Sequence, residues 1–291
     1  MSARPADRAQ AAKWPAWSAG LLALLGLCVY AAQAVWFAHT SISSLDEGAY
    51  LYKGYLFASG EYHPFEPYGP QTNKAPLAFL IPGLVERLFG AGLRTGRYLA
   101  VLFGILSLAA AWIAARRLGG MWLAAAAVWA FAFNPAMIKI YSEGVTQSEI
   151  LFVLALILVL VLGEDRPPWQ LVLAGLLAGA LIMIRQNMVI VLPILALYIW
   201  WQHGGKAALY AAAAGAAVLL LFHALYWPYI LQLWTPWMPE RVQALFARYG
   251  LLLSGTPVWD PSIDLSGRLL SFFQGVRFNF IAMAGLLIGL I

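Results

Sequence analysis

The sequence predicts an all-α, polytopic transmembrane bundle of about eight helices. Three features of its 291 residues support this fold class: 62% are hydrophobic, only 11% are charged, and the mean hydropathy is +0.75. Soluble domains usually carry about 25% charged residues, whereas an apolar run of about 20 residues is long enough to cross a bilayer as a helix. The repeated apolar runs of this chain are therefore typical of membrane crossings.

Apolar runs of helix length give the order of the elements. The predicted crossings are 17–38, 98–115, 121–140, 148–163, 169–184, 187–202, 207–227 and a last run that begins near Phe278. A shorter apolar stretch, Pro76–Phe89, carries Glu86 and Arg87, which favours an interfacial helix over a crossing. Because the last run is still apolar at Ile291, we expect the sequence to be a C-terminally truncated piece of a longer protein.

Two long mixed segments, 39–97 and 228–276, interrupt the predicted crossings. An odd number of crossings precedes each segment, so both are expected on the same side of the membrane. The short connections on the other side carry the basic residues, which favours the cytoplasm for that side. These residues are Arg4, Arg8, Lys13, Arg116, Arg117, Arg166 and Lys206. We therefore expect one transmembrane domain over 1–291 in the plasma (inner) membrane, with a cytoplasmic N-terminus and two long extracytoplasmic loops.

The formal net charge of +5 comes without a run of like charges. Basic residues that flank apolar helices meet anionic head groups, so membrane lipids rather than nucleic acid are the expected partners. The single cysteine, Cys28, can form no internal disulfide, and the four histidines lack the spacing of metal ligands. The sequence assigns no metal or cofactor.

An acidic pair, Asp46-Glu47, follows the first predicted crossing. Two adjacent carboxylates at a membrane surface can supply a general base and a metal or hydrogen-bond partner. The same pair can instead cap the first turn of a short helix.

Three more charged residues map to the same predicted face of the membrane. Lys74 precedes the interfacial stretch and suits either a phosphate or a snorkelling position. Arg185 lies in a long uncharged stretch and suits either a two-pronged phosphate contact or an interface anchor. Glu149 starts a crossing, where it can support a site or simply complement the helix dipole. An acid pair and two cations on one face predict a site for an anionic, lipid-linked substrate.

These residues belong to a longer pattern. It consists of Asp46-Glu47-Gly48-Ala49-Tyr50, Gly60-Glu61-Tyr62, Lys74-Ala75-Pro76-Leu77, Leu88-Phe89-Gly90, an Arg-rich entry from Arg94 to Arg97, and Ala115-Arg116-Arg117-Leu118-Gly119. In order and spacing it resembles the first loop and second helix of the C-type membrane glycosyltransferases, the superfamily of protein O-mannosyltransferases and lipid A aminoarabinose transferases. The stretches 146–149 and 183–185 resemble that superfamily's second acidic loop and cationic turn. Lys-Ala-Pro-Leu departs from the commoner Lys-Pro-Pro-Leu, and Glu149 stands where Asp is frequent.

The resemblance implies a polyprenyl-phosphate sugar as donor and transfer with inversion at the anomeric carbon. Asp46, with Glu47 beside it, would be catalytic, and its carboxylate would deprotonate the acceptor hydroxyl. Lys74 and Arg185 would hold the phosphate leaving group, with Glu149 as a supporting acid. Some members use a divalent metal near the first loop. The acceptor is left open among protein, lipid and glycan.

Two other classes of protein compete with a glycosyltransferase. A transporter or flippase for a lipid-linked saccharide would place ionisable residues near the midplane and show repeat symmetry, whereas these charges gather at helix ends and no internal repeat is visible. An assembly scaffold without a site would leave the charges on one face unexplained. The sequence therefore favours a membrane glycosyltransferase.

Overall fold

A computed structural model describes residues 16–63, 65, 75–235 and 238–250. Over these ranges the chain forms ten α-helices and two short 3₁₀ helices, without a strand. The α-helices are α1 (Ala16–Thr40), α2 (Leu45–Ser59), α3 (Leu77–Phe89), α4 (Leu93–Ala132), α5 (Pro135–Tyr141), α6 (Thr146–Val161), α7 (Pro168–Ile184), α8 (Val191–His203), α9 (Gly205–Leu225) and α10 (Glu240–Arg248). The 3₁₀ helices are Gln186–Ile190 and Tyr229–Leu233. The chain divides after Thr235 into two compact units, with α1 to α9 in the first and α10 in the second.

Three of the described helices, α1, α4 and α9, are long and apolar enough to cross a membrane. The pair α5 and α6 passes the same criterion together, although the two helices meet at an angle of 102°. Helix α7 is apolar but shorter, at 17 residues. The all-α membrane fold is confirmed, whereas the predicted number of eight crossings is not established over the described ranges, and the predicted run from Phe278 lies outside them.

Helix α4 unites two predicted crossings, 98–115 and most of 121–140. Its backbone leaves helical geometry at Gly119 and at Gly120, where φ is +81°. Glycine adopts positive φ without the steric cost that a Cβ atom adds. The 40 residues of α4 are therefore two helical segments joined at Gly119 and Gly120.

The predicted crossing 121–140 is interrupted near its end, which corrects the sequence-based boundary. Helix α4 ends at Ala132, and α5 starts anew at Pro135. The Asn134 side chain accepts a hydrogen bond from the Met137 backbone N–H at 3.1 Å. Asparagine as an N-cap followed by proline in the first turn favours a new helix start over continuation.

The first predicted loop contains α2 and α3, and α3 occupies the stretch predicted as an interfacial helix. The two helices pack closely through Gly54 and Gly83. A Cβ atom added to Gly54 would lie 2.6 Å from the carbonyl oxygen of Phe79, and one added to Gly83 would overlap the carbonyl group of Gly54. The two backbones can approach this closely only because both positions are glycine.

The first unit is packed internally but apolar outside. One buried cluster joins α1 to α4 and α5 through Tyr30, Leu108 and Ile138. The outer faces expose large apolar side chains, such as Trp201 at 79% and Leu209 at 67%. Large exposed apolar areas mark surfaces that meet a partner or a bilayer, which agrees with an integral membrane protein.

Candidate functional site

A buried ion pair between Glu47 and Arg97 fixes the start of α2. The Arg97 Nε and Nη2 groups donate to Oε1 and Oε2 of Glu47 at 2.8 and 2.7 Å. The Arg97 Nη1 group also donates to the carbonyl oxygens of Ala38 and Ser41, at 3.1 and 2.8 Å. A planar guanidinium offers the geometry for several such bonds at once, so Arg97 ties α4 to α2 and to the end of α1.

Glu47 accepts two further hydrogen bonds from the backbone. The N–H of Ser44 donates to Oε2 at 3.1 Å and the N–H of Gly144 donates to Oε1 at 2.8 Å. Burial by itself raises the pKa of Glu47, but the bonds from Arg97, Gly144 and Ser44 outweigh burial and hold the pKa below its usual value. Both carboxylate oxygens are therefore occupied, which suits Glu47 to positioning rather than to proton transfer.

The helix-cap role proposed as an alternative for the acidic pair is present at Glu47. The Ser44 hydroxyl accepts from the Glu47 backbone N–H at 3.2 Å, while the Glu47 carboxylate accepts from the Ser44 N–H. This reciprocal pattern is a capping box, which satisfies two of the unpaired N–H groups at a helix start. Asp46, between them, takes no part in the box and is exposed.

The hydrogen bond from the Gly144 N–H links Glu47 to the helix break between α5 and α6. That break, 142–145, leaves backbone N–H groups outside a helical ladder. Irregular backbone at membrane depth is tolerated where protein groups satisfy it. Glu47 therefore fixes the start of α2 and the start of α6 with one carboxylate.

Tyr50 lies one helical turn after Asp46 and is 8% exposed. Burial raises the pKa of its phenol, Arg185 and a hydrogen bond with Thr146 lower it, and Asp46 and Glu149 raise it, so that the pKa lies above its usual value. Asp46 from α2, Glu149 from α6 and Arg185 from the end of α7 therefore each lie within the range over which a charge shifts the pKa of this phenol.

Tyr50 was not selected from the sequence, although it belongs to the quoted Asp46–Tyr50 pattern. Residues four apart on a helix share a face, and this spacing from Asp46 was the available signal. A tyrosine in an apolar sequence is otherwise indistinguishable from ordinary core packing. Only the fold shows that charged groups from three elements influence its hydroxyl.

Glu149 is almost fully buried in the first turn of α6, at 5% exposure. Its Oε2 atom has no hydrogen-bond partner within the described part of the chain. The side chain lines a cavity of about 10 Å³ with Leu51, Gly144 and Ser148. This volume is about that needed by one water molecule, so Glu149 has room for a small polar partner.

Of the two predicted phosphate ligands, Arg185 and Lys74, the structure describes Arg185. Arg185 follows α7, where its backbone N–H bonds the Leu181 carbonyl oxygen at 2.9 Å and its side chain is half-buried. The predicted phosphate ligand Lys74 lies outside the described residues. Across the ranges that the structure describes, no three His, Cys, Asp or Glu side chains are grouped to hold a metal ion.

One comparison with known proteins gives a match. A family model described as dolichyl-phosphate-mannose-protein mannosyltransferase matches residues 73–227, which is more than half of the chain. The matched range contains Arg97, Glu149 and Arg185 and starts after the Asp46–Tyr50 pattern. No curated protein and no solved structure matches the chain.

Proposed function

Because the chain belongs to the dolichyl-phosphate-mannose-protein mannosyltransferase family, we propose that it is a membrane glycosyltransferase that moves a sugar from a polyprenyl-phosphate donor to an acceptor hydroxyl. The observation that carries this proposal is the exposed Asp46 carboxylate in the first turn of α2, a turn that Glu47 fixes through Arg97 and the Gly144 N–H. Arg185 is close enough to this helix to influence the pKa of Tyr50. Such a transfer needs a base for the acceptor and positive charge for the departing phosphate. An exposed carboxylate and a guanidinium near one phenol supply both.

Asp46 is the proposed base. Its carboxylate takes the proton of the acceptor hydroxyl while the acceptor oxygen attacks the anomeric carbon of the donor sugar. The bond from that carbon to the phosphate oxygen breaks, and its electron pair leaves with the polyprenyl phosphate. Attack from the side opposite the phosphate inverts the anomeric configuration. The exposure of Asp46 in the first turn of α2 supports this role, because an acceptor can reach it.

Arg185 is the proposed ligand of the phosphate leaving group. A guanidinium can contact two phosphate oxygens at once and stabilises the charge that develops as the glycosidic bond breaks. The resemblance assigns Lys74 as a second cation for the same phosphate. Its place in Lys74-Ala75-Pro76-Leu77, within the family match, supports that assignment.

The remaining residues position these groups. Tyr50, whose raised pKa keeps its phenol protonated, can donate a hydrogen bond to the Asp46 carboxylate or to the phosphate. Glu149 supports the site from α6. Glu47 acts through Arg97, because the pair fixes the helix turn that carries Asp46.

We place the site on the extracytoplasmic side, with the N-terminus in the cytoplasm, because the short connections opposite the site are basic. Cysteine labelling tests this orientation in a Cys28→Ser background. An impermeant maleimide should label Ser59→Cys but not Gly119→Cys in intact cells. The reverse labelling pattern would place the site in the cytoplasm.

Donor turnover by the purified protein in lipid nanodiscs tests the function itself. Polyprenyl-phosphate mannose, glucose and aminoarabinose are supplied with a membrane extract as acceptor source, and release of polyprenyl phosphate is measured. The proposal expects release with one of these donors and its loss in Asp46→Asn. Intact donor in every case would contradict the proposed function.

A further inference from the structure

The imidazole ring of His223 uses both of its nitrogen atoms in hydrogen bonds. His223 lies in the last turn of α9, where its Nδ1 atom is 2.7 Å from the carbonyl oxygen of Leu219. Its Nε2 atom is 2.8 Å from the indole Nε1 group of Trp234, and the planes of the two rings differ by only 16°. His223 therefore joins α9 to a residue that follows it by 11 positions in the chain.

The two partners determine the protonation state of His223. A carbonyl oxygen can only accept a hydrogen bond, so the Leu219 contact requires a proton on Nδ1. An indole N–H can only donate, so the Trp234 contact requires an Nε2 atom without a proton. The bond to Trp234 thus exists only while the imidazole is neutral, because a second proton would occupy the position that accepts it.

Trp234 ends a short segment, residues 229–234, which we call the strap. The strap side chains Ile230 and Leu233 are fully buried and belong to one apolar cluster with Met183, in the last turn of α7. The rest of the strap is one short 3₁₀ helix. The Trp234 hydrogen bond therefore fastens the end of the strap to α9, while its apolar side chains hold it against α7.

The strap packs beside both chain segments that carry the proposed phosphate ligands. Met183 lies two residues before Arg185, and the same buried cluster contains Ala75, the residue after Lys74. Met183 and Ala75 are at most 1% exposed. Close packing of this kind leaves a backbone little room to shift. The strap therefore fixes the backbone next to each of the two proposed ligands.

The segments around His223 carry other groups that can be charged. Helices α7 and α8 and the strap pack against α9, and Phe65 of the loop before α3 contacts Tyr226. At the His223 end these described segments carry Tyr226, Tyr229, Arg185 and His63, whereas His203 and Lys206 lie at the other end. Between about pH 5 and 8 tyrosine, arginine and lysine side chains keep one charge state, whereas histidine changes its charge. The three histidines are therefore the groups that an experiment has to separate.

We propose that His223 is a positioning residue for the transfer reaction, which holds the strap in place while neutral and releases it when protonated. The inference rests on the proposed transferase function. A protonated ring turns an N–H toward the Trp234 N–H, and two donors cannot bond each other. A released strap lets the backbone at Arg185 and Lys74 move, so the leaving phosphate loses part of its charge stabilisation. Donor turnover should therefore fall as the pH decreases from about 8 to 5.

Hydrogen exchange of the protein in nanodiscs, measured by mass spectrometry, tests the contact directly. Protection factors correct for the effect of pH on exchange chemistry, and those of the parental strap should fall about tenfold between about pH 8 and 5. His223→Gln keeps an acceptor oxygen for Trp234 but takes up no proton, so its strap should stay protected at both values. Trp234→Phe keeps a ring without the donor, so its strap should be weakly protected at both values.

Two other histidines provide matched controls. The Nε2 atom of His203 lies 3.0 Å from the Val161 carbonyl oxygen, far from the strap, and His63 precedes the cluster residue Phe65. His203→Gln and His63→Gln should each keep the parental dependence of strap protection on pH. An equal response to pH in the parent and in His223→Gln, or its loss in His63→Gln, would overturn the inference. Thermal unfolding verifies that each variant is folded, and Trp234→Phe keeps the test valid if His223→Gln does not fold.

Donor turnover separates a positioning role from a purely structural one. Between about pH 8 and 5 the kcat of the parent should fall about tenfold further than that of His223→Gln, while titration of the base affects both proteins alike. Equal pH profiles of kcat in these two proteins would overturn the positioning role, even with the expected hydrogen exchange. A strap that responds to pH in a protein that turns over no donor would refute the transferase and, with it, the positioning role. Donor turnover by a parent whose strap does not respond would overturn this inference alone.

Discussion

The guanidinium of Arg97 and the carboxylate of Glu47 form a two-pronged ion pair, with Nη2 and Oε2 2.7 Å apart and both side chains buried. Fifty positions separate the two residues in the chain. Asp46 is the direct neighbour of Glu47, so this pair sets the backbone position of the proposed base. Stability and activity are therefore expected to depend on the pair in different ways.

Removal of Arg97 should destabilise the protein strongly. Arg97→Met leaves the Glu47 carboxylate buried without its counter-charge, and such a loss costs about 3 to 5 kcal/mol. Arg94→Met is the matched control, because Arg94 is exposed near the start of the same helix. Arg94→Met should change the free energy of unfolding by no more than about 0.5 kcal/mol. Denaturant unfolding in nanodiscs measures both, and equal stability of the two variants would show that the pair is not a structural anchor.

Low pH should weaken the contacts that the Glu47 carboxylate makes with Arg97 and the backbone. The pKa of Glu47 lies below its reference value of 4.5, so its contribution to stability is complete above that value and is lost as the pH falls through the folded-state pKa. The parent should therefore lose stability more steeply than Glu47→Gln below a pH of 4.5. Unfolding free energies measured along a pH series test this, and parallel curves for the two proteins would exclude Glu47 as the titrating group.

The close approach of α2 and α3 predicts that a larger residue in place of Gly83 destabilises the protein. A methyl group in Gly83→Ala would overlap the Gly54 carbonyl and force the two helices apart, which should cost about 1 to 3 kcal/mol. Gly48→Ala is the control, because no atom lies within 4 Å of its added Cβ. Alanine there should keep or raise stability by up to about 1 kcal/mol. If Gly83→Ala is as stable as Gly48→Ala, the helices do not pack through these glycines.

Loss of the base should remove activity without unfolding the protein. Asp46→Asn keeps the shape of the side chain but cannot take a proton, and the rate of donor turnover should fall about a hundredfold or more. Glu61→Gln, an exposed acid that follows α2, should retain the parental rate. Turnover by Asp46→Asn at the parental rate would mean that another group is the base.

Arg185 should affect the chemical step if it binds the phosphate. Arg185→Ala should lower kcat about a hundredfold because it removes charge stabilisation of the leaving group. The kcat of Arg185→Lys should lie between that of Arg185→Ala and that of the parent, since an ammonium cannot make the two-pronged contact. Arg116→Ala, an exposed arginine at the predicted opposite face, serves as control. Parental kcat in both Arg185 variants would support a simple interface anchor.

The helices themselves were largely predictable from the sequence. The runs 17–38, 148–163, 169–184 and 207–227 correspond to α1, α6, α7 and α9 within two residues at each end. A helix in a bilayer forms its own backbone hydrogen bonds and needs an apolar surface along its length. The position of an apolar run therefore indicates the position of a helix directly. The break at Pro135 was missed because the residues on both sides of it are apolar.

The sequence proposed the residues of the candidate site, but the surroundings of each residue depend on the tertiary structure. The sequence selected Asp46, Glu149 and Arg185, and the charges of all three influence the pKa of Tyr50. Residue chemistry alone could not separate Asp46 from Glu47, because adjacent acids look alike in a local pattern; only the family resemblance singled out Asp46 as the base. Their difference arises from Arg97, whose distance along the chain no local pattern encodes. The packing of α1, α2, α4 and the α5–α6 break buries one acid and leaves the other exposed, because a buried carboxylate needs several donors and only the tertiary structure assembles them.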